Sequence, residues 1–190
     1  MVTVRVIYTE TDSHLTKDYM SKFGNGKIFV ETGTYHGDTV KLALEFGYDQ
    51  IHSVELNDEL YTKAVEMFKD NSKVKIWHGD SAEMLTEIIK EIGNEPATFW
   101  LDAHASGDLV GGKSGGTPVV DELKAIGESL CKEHSIFIDD RRLFGSAEWS
   151  FVTEKQAFEE LMKINPKYTV LALDGHVKQD VMCATTRNVE

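Results

Sequence analysis

The chain has 190 residues, 41% of them hydrophobic and 27% charged, the balance of a soluble globular protein rather than a disordered or fibrous one. Its 20 Lys and Arg against 32 Asp and Glu leave a formal net charge of −12, which argues against phosphate-backbone binding as the main role, because nucleic-acid affinity rests on cationic side chains. No apolar run reaches the length of a membrane span and the N-terminus MVTVRVIYTE lacks the apolar core of a signal peptide, so a cytoplasmic protein with no membrane partner is expected.

Residues 1 to 13 hold a β-like alternation, Val2-Val4-Val6, and then a polar segment, Thr9 to Ser13, suited to covering a sheet edge or a cleft. His14 to Phe23 reads as a short helix, with Leu15, Tyr19 and Phe23 at four-residue spacing and Gly24-Asn25-Gly26 as its stop. The first core strand, Ile28-Phe29-Val30, turns through Glu31-Thr32-Gly33 into a helix predicted over Asp38 to Phe46. A strand at Ile51 to Glu55 and a helix at Asn57 to Lys69 follow. Val74 to His78 is the third core strand, and Ala82, Leu85, Ile88, Ile89 and Ile92 stripe the helix after it. Ala97 to Asp102 and Ser135 to Asp140 are the fourth and fifth, separated by a glycine-rich loop and a helix from about Pro118 to Cys131.

This β-α-β alternation predicts an α/β fold with a mostly parallel sheet and helices on both faces. Thr153 with Gln156 has capping-box spacing and opens a helix to Ile164. The last two strands, Tyr168 to Leu173 and Val181 to Thr186, are joined by seven residues, too few for a helical crossover, so the chain ends in an antiparallel hairpin. No repeat or linker suggests a second domain, and one domain over 1–190 is expected, with 1–27 as an extension to the core. Cys131 and Cys183 lie far apart in apolar surroundings and read as buried free thiols.

In an open parallel sheet, ligands bind beyond the carboxyl ends of the strands. Each core strand delivers polar residues there: Glu31 and Gly33, Glu55, Gly79-Asp80-Ser81, Asp102 and His104, and Asp139-Asp140. The first turn, Glu31-x-Gly33-x-x-x-Gly37-x-Thr39, brings backbone close to a ligand and opens a helix N-terminus, yet its spacing differs from the dinucleotide fingerprint. Glu55, about 20 residues on, can accept the hydroxyls of a ribose or simply sit near a helix N-terminus. Asp80 is placed either to meet an adenine amino group or to cap the helix that reaches Glu83.

The glycine turn, Glu55, Gly79-Asp80 and the terminal hairpin together resemble a class I S-adenosylmethionine-dependent methyltransferase, from about Ile28 to the end. The resemblance implies a Rossmann-like, doubly wound, seven-stranded sheet of order 3-2-1-4-5-7-6 with the last strand antiparallel. It places the methionine end of the cofactor at Glu31, Gly33, Thr34, Tyr35, Gly37 and Thr39, the ribose at Glu55 with Leu56 beside it, and the adenine at Gly79, Asp80 and Ser81, with Asp102 nearby.

Asp102, Asp139 and Asp140, from the ends of adjacent strands, form an oxygen-rich set suited to Mg²⁺, Mn²⁺ or Ca²⁺. The same layout resembles the metal-dependent catechol and macrocin-type O-methyltransferases. It implies an ion that binds a substrate hydroxyl, lowers its pKa and orients it for attack on the methyl group, with Asp102 and His104 as catalytic candidates. The bland alternative is that Asp139-Asp140 pairs with Arg141-Arg142 or caps the next segment. His36, inside the glycine turn, is expected to line the cofactor mouth.

Ser106 to Thr117 is a candidate substrate lid or a disordered surface loop, and it lacks the Walker spacing of a P-loop. Arg141 and Arg142 are candidates for an anionic substrate, and Trp149 and Phe151 for an apolar one. The expected function is S-adenosylmethionine-dependent, divalent-metal-assisted O-methylation of a small hydroxylated molecule, with a homodimer left open. The alternatives are a metal-dependent hydrolase built on Asp102, His104, Asp139 and Asp140, and a non-catalytic cofactor-binding module.

Overall fold

Residues 5–6, 15–103 and 116–189 are described by the computed structural model of the chain. The apolar runs become strands β1 (Arg5–Val6), β2 (Ile28–Thr32), β3 (Gln50–Glu55), β4 (Val74–His78), β5 (Ala97–Leu101), β6 (Ser135–Ile138), β7 (Thr169–Leu173) and β8 (Val181–Thr185). The amphipathic stretches become α1 (Lys17–Phe23), α2 (Asp38–Phe46), α3 (Asp58–Phe68), α4 (Ser81–Ile92), α5 (Val119–Gly127) and α6 (Glu154–Ile164). A single 3₁₀ turn covers Arg141–Leu143.

The strands form one sheet in the order β1-β7-β8-β6-β5-β2-β3-β4. Counting core strands from Ile28, β4 to β7 run 3-2-1-4-5-7-6, the order expected, and β8 is antiparallel to both β6 and β7. The edge carries one more strand than the sequence reading gave it: β1 lies parallel to β7, Arg5 opposite Leu171 and Val6 opposite Ala172. Two residues of pairing are short, which is one way a sheet blunts an exposed edge.

Strand alternation explains why both faces are covered. Val30, Phe99, Ile136 and Ile138 face a core shared with Leu85 and Ile88 of α4, Leu123 and Ile126 of α5 and Leu161 of α6. Their neighbours Phe29, Trp100 and Phe137 face the opposite core, with Tyr19 and Phe23 of α1, Val40 and Ala43 of α2 and Phe68 of α3. A sheet buried on both sides needs near-continuous apolar strands, which is what the sequences ATFWL and SIFI supply.

Local signals set the ends of the helices. Thr16 caps α1, so that helix starts later than the sequence periodicity suggests, and His14 and Thr9 to Ser13 lie outside the described residues. Asn57 caps α3 through Glu59 and Leu60 N–H groups. Thr153 and Gln156 form the reciprocal capping box. Cys131 and Cys183 are buried and unpaired with each other, as expected. Among the described residues, no helix is long and apolar enough to cross a membrane.

Phe137 is fully buried on a central strand. Phe137→Ala is expected to lower the unfolding free energy by about 3–5 kcal/mol, whereas Val65→Ala, on the exposed side of α3, should change it by less than about 0.5 kcal/mol. Urea denaturation of the two variants measures both.

Candidate functional site

The carboxyl end of β2 reaches its turn through two backbone constraints. Gly33 has φ +88°, and a Cβ there would lie 2.6 Å from the carbonyl oxygen of Asp102, so only glycine lets this turn press against the end of β5. Gly37, the N-cap of α2, has φ +73°, and its missing Cβ makes room for the ring of Phe68. The N–H groups of Gly33 and Thr34 both donate to the carbonyl of Val54, at 2.9 and 3.1 Å, which ties the turn to β3. Tyr35 follows in the left-handed region, φ 48°, 59% exposed, with its ring against His36 at 3.9 Å between centroids.

Beneath this turn Glu31 is buried, paired across the β2/β3 ladder with Ser53. Ser53 Oγ donates to Glu31 Oε2 at 2.6 Å and lies 2.6 Å from Thr34 Oγ1. Burial raises the Glu31 pKa to about 8, with Asp102 and Glu55 pushing the same way; hydrogen bonds from Ser53 and Thr39 pull against it. A buried carboxyl that titrates near neutrality at the mouth of a glycine turn marks a candidate binding site.

Glu55, at the end of β3, is held by backbone donors on both oxygens. Tyr35 N donates to Oε2 and Asn57 N to Oε1, each at 2.9 Å. A carboxylate oxygen can accept more than one hydrogen bond, so the backbone orients Glu55 and leaves it acceptor capacity for a diol. Leu56 beside it is 45% exposed, an apolar surface held open.

Gly79 N donates to the carbonyl of Glu55 at 3.0 Å and so joins the third edge of the site to the second. Asp80 caps α4, its Oδ1 accepting from Ala82 N at 3.1 Å and Glu83 N at 3.4 Å; Ser81 is buried behind it. The capping role is therefore filled, and it does not conflict with a ligand contact from the neighbouring backbone.

Asp102 N donates to the carbonyl of Thr32 at 3.1 Å, and Asp139 N to that of Leu101 at 3.1 Å, so both aspartates emerge at the same sheet edge. The three carboxylates read together from the strand ends are nevertheless not the three that the fold gathers most closely. Asp139, Asp140 and Asp180 have oxygens within 4.8 Å of one another, and Asp102 is not among them. Arg142 Nη1 bridges Asp140 and Asp180, and its backbone N–H donates to Asp180 Oδ1 at 3.1 Å. Partial burial alone would lower the Arg142 pKa, but Asp140 and Asp180 outweigh it and raise it.

Arg141 is occupied as well, in a two-point pair with Glu154 at 2.9 and 3.1 Å and on the carbonyl of Gln179. Trp149 is buried edge-on to Phe144, whereas Phe151 is exposed. His104 and residues 106–115 of the loop lie outside the described residues. Sequence reasoning missed Ser53 and Asp180. A lone serine in the apolar strand at Ile51 was a signal for the first; the second becomes visible only from the register of β8.

No family model matches the chain, and no curated protein sequence matches it. Several solved structures are similar in fold. Spermidine synthase from Thermotoga maritima is 14% identical, with 93% of this chain and 59% of that one covered and a TM-score of 0.60. This chain thus spans less than two thirds of that enzyme's length. An SAH-bound methyltransferase from Podospora anserina is 18% identical, with 85% and 72% covered and a TM-score of 0.56. An O-methyltransferase from Bacillus cereus in complex with SAH is 14% identical, with 84% and 74% covered and a TM-score of 0.55. The fold is the Rossmann-like methyltransferase fold.

The Glu31 carboxyl gives a pH test. Its folded pKa, about 8, lies above the ordinary 4.5, so the folded chain holds the extra proton between those values and loses stability as pH rises through them. Glu31→Gln removes that loss. Relative to wild type, the variant should gain roughly 2–5 kcal/mol between pH ~5 and pH ~8, as read from denaturant midpoints at each pH.

Proposed function

We propose that the chain binds S-adenosylmethionine along the carboxyl edge of β2, β3 and β4 and transfers its methyl group to a hydroxyl of a small molecule. The observation that carries this reading is the oriented carboxylate of Glu55 beside the glycine turn. Both oxygens are aimed by backbone N–H groups, 22 residues after Gly33 in the order of a ribose-binding edge. The SAH bound to two proteins of similar fold adds support for the cofactor. Fold alone does not choose the reaction, since a spermidine synthase shares it.

The residues fit the cofactor. Gly33 and Gly37 let the turn close tightly over the strand ends, Glu31 would offer a carboxyl to a cationic ligand, and Glu55 would offer paired acceptors. When bound, S-adenosylmethionine supplies an electrophilic methyl on a positively charged sulfur. Glu31 and the turn to Thr39 would hold its amino-acid end, Glu55 with Leu56 its ribose, and Gly79, Asp80 and Ser81 its adenine. Asp102, at the neighbouring strand end, is the described residue proposed to take the proton of the acceptor hydroxyl, with His104 as the second candidate.

Divalent-metal assistance through Asp102, Asp139 and Asp140 is not carried into this proposal. A hard cation needs free carboxylate oxygens, and Arg142 already engages Asp140 and Asp180. For the same reason an anionic acceptor loses its two nearest candidate partners, because Arg141 and Arg142 are both paired within the chain. A neutral hydroxylated acceptor fits better.

Calorimetric titration with S-adenosylmethionine and S-adenosylhomocysteine, followed by mass detection of methyl transfer to pooled small alcohols, phenols and sugars, tests the function. Stoichiometric binding with transfer is expected; absence of binding to either ligand would overturn it. Glu55→Ala should weaken binding about 10- to 100-fold, the worth of hydrogen bonds to a charged group. Because a cationic ligand favours ionised Glu31, wild-type affinity for S-adenosylmethionine should rise with pH up to about 8 and release a proton, while Glu31→Gln shows neither effect.

A further inference from the structure

The strand-end acid group carries its own cation. Asp139 and Asp140 follow β6, and β6 pairs antiparallel with β8 in the register Ile136 to Ala184, Phe137 to Cys183 and Ile138 to Met182. Continued by two residues, that register sets Asp140 opposite Asp180, so the β6/β8 pairing itself brings those two aspartates together, with Asp139 beside them. All three are buried, with oxygens within 4.8 Å. Carboxylates that close repel strongly and require a positive partner to stay ionised.

The chain provides one by a local turn. Asp140 adopts φ 54°, the left-handed region, and the 3₁₀ turn Arg141–Leu143 follows at once. This reversal lets Arg141 N donate to the carbonyl of Asp180 at 2.6 Å and brings Arg142 back over the group two residues after Asp140. Arg142 Nη1 lies between Asp140 Oδ1 and Asp180 Oδ2, its N–H takes Asp180 Oδ1, and Asp140 N takes Asp139 Oδ1 at 2.8 Å. Four of the oxygens a divalent ion would need are thus engaged by N–H donors, two of them by a cationic one. A non-glycine residue held left-handed next to such a group is the kind of strain that persists when the surroundings over-determine it.

We propose that Arg142 is the resident cation of the Asp139, Asp140 and Asp180 group and replaces a divalent metal there, so that the chain binds no Mg²⁺, Mn²⁺ or Ca²⁺ at this edge. Arg142 is a positioning residue: it fixes the hairpin against the end of β6 and keeps Asp139 and Asp140 in place beside the cofactor edge. The inference rests on the ion-pair geometry and not on the identity of the cofactor.

Titration of the full chain with Mn²⁺, monitoring free ion by electron paramagnetic resonance, tests it. Wild type should show no stoichiometric binding up to about 1 mM, the weak end of carboxylate cages, and its thermal midpoint should not respond to EDTA or to Mn²⁺. Arg142→Met should lower the midpoint, and adding Asp180→Asn should restore part of the loss by removing a buried carboxylate left without its cation. One Mn²⁺ per chain bound by wild type and lost in Asp140→Asn would overturn the proposal. So would an Arg142→Met midpoint equal to wild type. If Arg142→Met does not fold, the wild-type titration and EDTA response still decide. Cofactor titrations run in parallel keep this result separate from that for methyl transfer.

Discussion

Much of this structure follows from one carboxyl, that of Glu31, being held without solvent at the point where three strands end. The turn after it must be tight enough to cover it, which requires glycine at 33 with a positive φ and no Cβ against Asp102. Its partner must come from the adjacent strand, which requires Ser53 in register with it. Desolvation holds the group near neutrality rather than ionised. The group therefore keeps its proton at neutral pH and has no cationic side chain among the causes that set its titration.

Two strands along the same edge the opposite solution operates. Asp139, Asp140 and Asp180 meet Arg142 within the fold, so that end of the sheet is electrically served before any ligand arrives. The two halves divide the work. The β2, β3 and β4 ends offer unspent acceptors at Glu55 and a titratable carboxyl at Glu31, while the β6 and β8 ends form a fixed wall. The net charge of −12 is thus not spread evenly in its consequences, because what a ligand meets depends on which carboxylates already have donors.

Much of the fold was legible in the sequence because its signals are local. Apolar runs of four to six residues, stripes at helical spacing and the Thr153 and Gln156 capping pair each state their own structure. The seven-residue link before Val181 ruled out a crossover and so fixed the antiparallel hairpin. The placement of Glu31, Gly33 and Glu55 at strand ends was legible, because each lies next to an apolar run or a glycine turn in sequence. It was not legible where pairing at a distance decides the outcome. Asp180 joins Asp140 only through the β6 and β8 register, so the pairing of Arg142 with Asp140 was among the expected alternatives but its reach to Asp180 was not. The pairing of β1 with β7 is of the same kind, two residues joined to a strand more than 160 positions away.

The central claim is that the glycine turn and Glu55 hold a single nucleoside cofactor, and a crystal structure of the chain grown with S-adenosylhomocysteine tests it most directly. The claim predicts the amino-acid end of the ligand over Glu31 to Gly37, its ribose hydroxyls on Glu55 and its adenine beside Gly79 to Ser81. Ligand density at another part of the molecule, or an empty edge at saturating ligand, would contradict it.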